Sequence, residues 1–120
     1  MVSVMYYRYE SMFDGKYMGC GIMQGLDALD LEVDEYNFLI RRFNQELPLP
    51  TCFSTNNSIK TVSFFTEKGN RVFEKNIRLI RLAFMSRKLF GVRQIIEETI
   101  PRNKILYEDE YQVVVCLEEE

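Results

Sequence analysis

The sequence predicts an α+β fold: a mainly antiparallel sheet of five or six strands packed against one long and one shorter helix. Three observations lead there. Runs rich in β-branched and aromatic residues occur near both ends and in the middle of the chain. Two stretches repeat apolar residues every three or four positions, and turn residues separate one kind of run from the other. A length of 120 residues suits one domain, and no linker or repeat divides it, so residues 1–120 are read as a single domain.

Val2 to Tyr9 forms the first expected strand. Asp14-Gly15 is a hairpin turn signal, and YMGCGIM is the returning strand. Gly19, Gly21 and Gly25 lie in or just beyond it, where bare positions allow a bulge or a close backbone approach. Asp34 and Glu35 open a helix whose apolar face is Tyr36, Leu39, Ile40, Phe43 and Leu47, and Pro48 and Pro50 end it. Thr51 to Ser58 reads as polar loop, and Ile59 to Phe65 as a strand.

Thr66 caps the longest expected element, a helix from Glu67 to Phe90. Gly69 weakens its first turn by about 1 kcal/mol relative to alanine. Val72, Phe73, Ile77, Ile80, Phe84 and the Leu89-Phe90 pair form its apolar stripe, with Gly91 as its C-cap. Residues 92–100 suit either a short helix or a strand, and their β-branched content favours the strand. Asn103 to Tyr107 and Tyr111 to Leu117 are the last extended segments.

Composition excludes several chemistries. There is no histidine, which removes Ser-His-Asp and Cys-His nucleophile systems and histidine-based zinc sites. Cys20, Cys52 and Cys116 form no close pair, so a disulfide scaffold and a structural zinc site both fail and no metal is expected. No apolar run reaches the roughly 20 residues of a spanning helix, and the start lacks the basic n-region and the small-residue cleavage site of a secretory signal. The expected address is cytoplasmic, with no membrane partner.

Charge is segregated. Residues 1–59 hold four bases and eight acids, residues 60–104 eleven bases and four acids, and residues 105–120 no base and six acids. The arrangement suggests internal complementarity or patches offered to partners. Lys68, Arg71, Lys75, Arg78 and Arg81 recur every three or four residues as a basic stripe, and such a stripe could follow a phosphate backbone. Tyr7, Arg8 and Tyr9 carry the residue types that anchor protein interfaces.

Glu108, Asp109 and Glu110 stand together before the run Val113-Val114-Val115. In an extended chain Glu108 and Glu110 share a face, with carboxylates about 7 Å apart. If the chain turns at Asp109, they form a hairpin tip instead.

Glu108-Asp109-Glu110 before an apolar strand resembles the Glu-x-Glu element of Arg-Ser-Glu ADP-ribosyltransferases, and Arg8 occupies the place of that family's early-strand arginine. The family's Ser-Thr-Ser element would fall at Ser54-Thr55-Asn56 or at Ser63, neither of which is a true Ser-Thr-Ser. The resemblance implies NAD as cofactor. It places Arg8 against the NAD, Glu110 on the nicotinamide ribose and Glu108 at the acceptor. The pattern YYR…SFFTEKG…YEDEYQVVV is also similar to short proteins of bacterial and phage genomes.

The favoured expectation is a small, soluble, acidic, cofactor-free binding protein that engages or inhibits a macromolecular partner. Its partner surface would comprise Tyr7, Arg8, Tyr9, Glu108, Asp109 and Glu110. One setting by analogy is a phage- or mobile-element-encoded inhibitor of a bacterial system. The alternative is the NAD-using, ADP-ribosyltransferase-like enzyme.

Overall fold

The computed structural model of the chain describes residues 4–50 and 60–117. The loop expected over Thr51–Ser58 lies outside them. The fold is α+β, and the described residues form six strands: β1 (Tyr6–Phe13), β2 (Lys16–Gly21), β3 (Thr61–Phe65), β4 (Phe90–Glu97), β5 (Ile105–Glu108) and β6 (Gln112–Cys116). The hydrogen-bonded order is β2-β1-β3-β6-β5, and β4 also pairs with β1. The helices are α1 (Ile22–Gly25), α2 (Val33–Glu46), α3 (Glu67–Val72) and α4 (Glu74–Met85). No helix is long and apolar enough to cross a membrane, among the described residues.

The described residues group into two compact units, and each draws on separate parts of the sequence. One contains residues 4–8, 48–50, 60–72 and 96–117. In it β3 pairs antiparallel with β6 from Thr61↔Cys116 to Phe65↔Gln112, and Tyr7 of β1 pairs with Phe65. β5 pairs antiparallel with the other edge of β6. β6 is therefore interior, and Val113, Val114 and Val115 are all buried, as a strand covered on both faces requires. Gln112 is buried as well, and its amide nitrogen is satisfied by the Pro48 carbonyl at 2.6 Å.

The second unit comprises Tyr9–Leu47 and Phe73–Ile95. Its β1–β2 hairpin closes at Phe13↔Lys16 across Asp14-Gly15, both with positive φ (51° and 76°), as a tight mirror-image turn demands. Gly25 packs so closely on Ser11 and Phe84 that a Cβ would collide with the serine side chain. The apolar face of α2 delivers Leu39 and Phe43 to a core shared with Ile77, Ile80 and Phe84 of α4. Phe43 stacks on Phe73 with ring centroids 5.0 Å apart.

The helix expected over 67–90 is two helices. Phe73 (φ −99°, ψ 12°) leaves the helical region between α3 and α4, and its fully buried ring sits against Phe43. A single interrupted residue barely disturbs the apolar spacing, so periodicity alone runs through the break. The helical run also ends earlier than expected, at Met85. There the Ser86 hydroxyl donates back to the Ala83 carbonyl, while the Arg87 guanidinium donates to the carbonyls of Leu29 and Ala83. Gly91 is not a cap but part of β4; the left-handed residue after α4 is Leu89, at φ 72°. Residues 90–97 take the strand that β-branched content favours.

Candidate functional site

The three acids form a turn, not an extended pair. β5 ends at Glu108 and β6 begins at Gln112, and the Asp109 amide donates to the Gln112 carbonyl at 3.0 Å. The Asp109 carboxylate faces the protein. It accepts from the backbone amides of Tyr111 (2.8 Å) and Gln112 (3.0 Å) and from the Tyr107 hydroxyl (2.7 Å). This is an Asx-type turn in which the side chain replaces a backbone acceptor. Glu108 pairs with Arg102 at 2.7 Å, and Glu110 with Lys68 at 2.6 Å. The Lys68 hydrogen bond, with one from Tyr111, holds Glu110 below the usual carboxylate range, and the same pairing raises Lys68.

Thr66 and Gly69 bind the other side of this turn. The Thr66 amide donates to the Tyr111 carbonyl at 3.0 Å, and its hydroxyl donates to the Glu110 carbonyl at 2.6 Å. That hydroxyl also accepts from the Gly69 amide at 3.0 Å, which makes Thr66 the N-cap of α3. The segments TEKG and DEY thus form one cluster of caps and ion pairs. Among the described residues, no three His, Cys, Asp or Glu side chains converge as a metal site requires.

Arg8 and Tyr9, expected at the surface, are buried, at 9% and 6% exposure. Arg8, Tyr9, Glu10 and Ser11 are buried in succession, so both faces of β1 are covered along this stretch. The Arg8 guanidinium donates to the Ser63 carbonyl at 3.1 Å. The Tyr9 hydroxyl accepts from Gln94, and Arg81 lies over the Tyr9 ring. Tyr7 is half-buried. Arg8 and Ser63 therefore meet, but Glu110 lies in the turn after β5, and β3 stands between β1 and β6. Arg8 and Glu110 are not on adjacent strands. Ser54-Thr55-Asn56 lies outside the described residues. The sequence reading passed over Glu10, a buried carboxylate that pairs with Arg93.

The basic stripe has no single use. Lys68 belongs to the acidic turn, and Arg81 covers Tyr9. Arg71 is exposed on α3. Lys75 and Arg78 are exposed on α4, and neither forms an ion pair or ring contact with a described residue.

The same outward face of α4 carries Leu82 and Met85, at 55% and 65% exposure. In the turn beyond it, Leu89 is 52% exposed in a left-handed backbone conformation. The Asp14 amide donates to its carbonyl at 2.7 Å, which fixes the turn against the β1–β2 hairpin. Helical spacing could have revealed this surface, because Leu82 and Met85 fall among the basic positions and off the stripe of Ile77, Ile80 and Phe84. No family model, no curated protein and no solved structure matches this chain, so its functional reading rests on geometry and chemistry.

Proposed function

We propose that this chain is a non-enzymatic binding protein that engages a protein partner through the outward face of α4 and the turn after it. The observation that carries the reading is Leu89. A left-handed conformation costs a non-glycine residue about 1–2 kcal/mol, and half of this side chain remains in water, so its own packing returns little. Glycine would serve the turn better. A partner that buries the leucine supplies a reason for its presence, and strained residues concentrate at such places. Leu82 and Met85, on the outward face of the helix that precedes this turn, are exposed apolar side chains as well, and clustered exposed apolar residues mark interaction sites.

Of the surface first expected to bind, Tyr7 is half-buried and Glu108 and Glu110 are exposed. Arg8 and Tyr9 are buried, and Glu108, Asp109 and Glu110 are engaged in ion pairs or a turn. Those engagements also weaken support for the NAD-using alternative built on Arg8, Glu108 and Glu110. Its own test is calorimetry with NAD: heat that Glu110→Ala abolishes would revive it. Blocking a bacterial component by occlusion is one use such a protein could serve.

Leu89→Gly tests the proposal without threatening the fold. Relief of the left-handed strain offsets the entropy glycine adds to the unfolded chain, so the thermal midpoint should not fall. Proteins retained by the immobilised wild type should be lost from this variant and from Leu82→Ser/Met85→Ser. Undiminished retention by both would remove α4 from the proposal.

A further inference from the structure

We infer that the partner element docked on α4 is an acidic amphipathic helix of another protein. The inference rests on the reading of α4 as a docking surface and adds the chemistry of what covers it. Lys75, Arg78 and Lys88 are exposed and make no ion pair with a described residue. Among the other bases, Arg42, Lys68, Arg93 and Arg102 pair with carboxylates and Arg8 and Arg87 bind carbonyls, whereas Lys16, Lys60 and Arg71 are likewise exposed with no ion pair to a described residue. What sets Lys75 and Arg78 apart is their place on the helix face that carries exposed Leu82 and Met85, with Lys88 in the turn that follows, a pattern that a partner's carboxylates would complement.

The spacing favours a helical partner. Lys75, Arg78, Leu82 and Met85 follow one another at i, i+3, i+7 and i+10 on one face, about 15 Å of helix at 1.5 Å per residue. Leu82 and Met85 form a short ridge that packs into the groove of a second helix laid alongside. Carboxylates flanking that groove would meet Lys75 and Arg78 at one end and Lys88 at the other. Glu74, at the start of α4, is the one acid within that helix, and the backbone amide of Asp14 meets the Leu89 carbonyl in the turn beyond it.

Other occupants fit less well. A phosphate backbone has no use for Leu82, Met85 and Leu89 between the cations. A lipid surface needs a broad apolar face, yet the broad apolar face of α4, with Ile77, Ile80 and Phe84, is committed to the core.

Fluorescence anisotropy with the full chain and designed peptides of about four helical turns tests the inference. One peptide carries leucines on one face flanked by glutamates; a second replaces the glutamates by lysines; a third replaces the leucines by serines. The acidic amphipathic peptide should bind at least about tenfold more tightly than either other, and more weakly as salt rises. Lys75→Glu/Arg78→Glu/Lys88→Glu should lower that affinity by about tenfold or more, and Leu89→Gly should also weaken it. Equal binding of the three peptides, or none, overturns the inference. So does tighter binding to duplex DNA or to phosphatidylserine vesicles, or self-association of the chain that Leu89→Gly abolishes. Capture of a partner that depends on Leu82, Met85 and Leu89 but survives the triple charge reversal leaves the docking surface standing and removes its acidic occupant. Capture indifferent to both sets removes the docking surface itself.

Discussion

Gly69 backs onto the carbonyl of Tyr111 so closely that any side chain at position 69 would strike the backbone of the turn. The obstacle is a carbonyl held in place by the Thr66 amide, not a side chain that can swing away. Helix propensity favours alanine over glycine by about 1 kcal/mol, and here the collision outweighs it. Gly69→Ala should lower stability by about 2–3 kcal/mol, in the range of overpacked sites, measured as a shift in the urea midpoint. A stabilised variant would show that α3 does not seat on Tyr111.

Asp109 satisfies two backbone amides and a phenol with one carboxylate. Its replacement by alanine leaves those donors to find water in a partly buried turn. We expect Asp109→Ala to cost about 2–3 kcal/mol, the scale of lost hydrogen bonds to a charged group. Glu108→Ala, which removes only an exposed ion pair with Arg102, should cost under about 1 kcal/mol. Equilibrium unfolding of the two variants side by side checks the contrast.

The Lys68–Glu110 pair gives a pH dependence with a defined sign. Glu110 titrates below its ordinary value in the folded chain, so its contribution is present above that ordinary value and fades as pH falls through the lowered one. Lys68 titrates above its ordinary value, so the contribution is also lost as pH rises through the raised one. Wild type and Glu110→Gln should therefore differ in unfolding midpoint at neutral pH and converge at both extremes. Parallel curves across the acid range would mean the pair does not form in solution.

Phe73 is fully buried and stacked on Phe43 at the break between α3 and α4. Phe73→Ala should cost about 3–5 kcal/mol, as truncation of a core aromatic does. Phe73→Leu should cost less, because most of the volume remains. Thermal unfolding of the pair reads the difference.

Much of this was legible because strand and helix periodicities are local. The Asp14-Gly15 hairpin, the buried face of α2 and the cap at Thr66 follow from residues within a few positions of one another. The fates of Arg8 and Tyr9 do not. Whether a strand carrying Tyr and Arg offers them to a partner or buries them depends on what covers the faces of its sheet, and that is written nowhere near residue 8. The acidic cluster was half legible: a turn at Asp109 was one of two readings. The turn is set by the Asp109 carboxylate accepting from the Tyr111 and Gln112 amides, and what no local pattern could show is the pairing of Glu110 with a lysine 42 positions earlier. Gly69 looked like a weak helix start by propensity alone, and only the distant Tyr111 carbonyl explains it. Leu89 carried no local signal, because its backbone angle is set by the turn and the hairpin it touches.

The interior position of β6 has a further consequence. It pairs with β3 on one side and β5 on the other, although about fifty residues separate it from β3 in the chain. A truncated or nicked molecule without residues 112–116 would leave two strand edges unpaired at once, each a template for a neighbouring copy. Proteolysis within the turn at Asp109–Tyr111 should therefore yield precipitate rather than a smaller folded core.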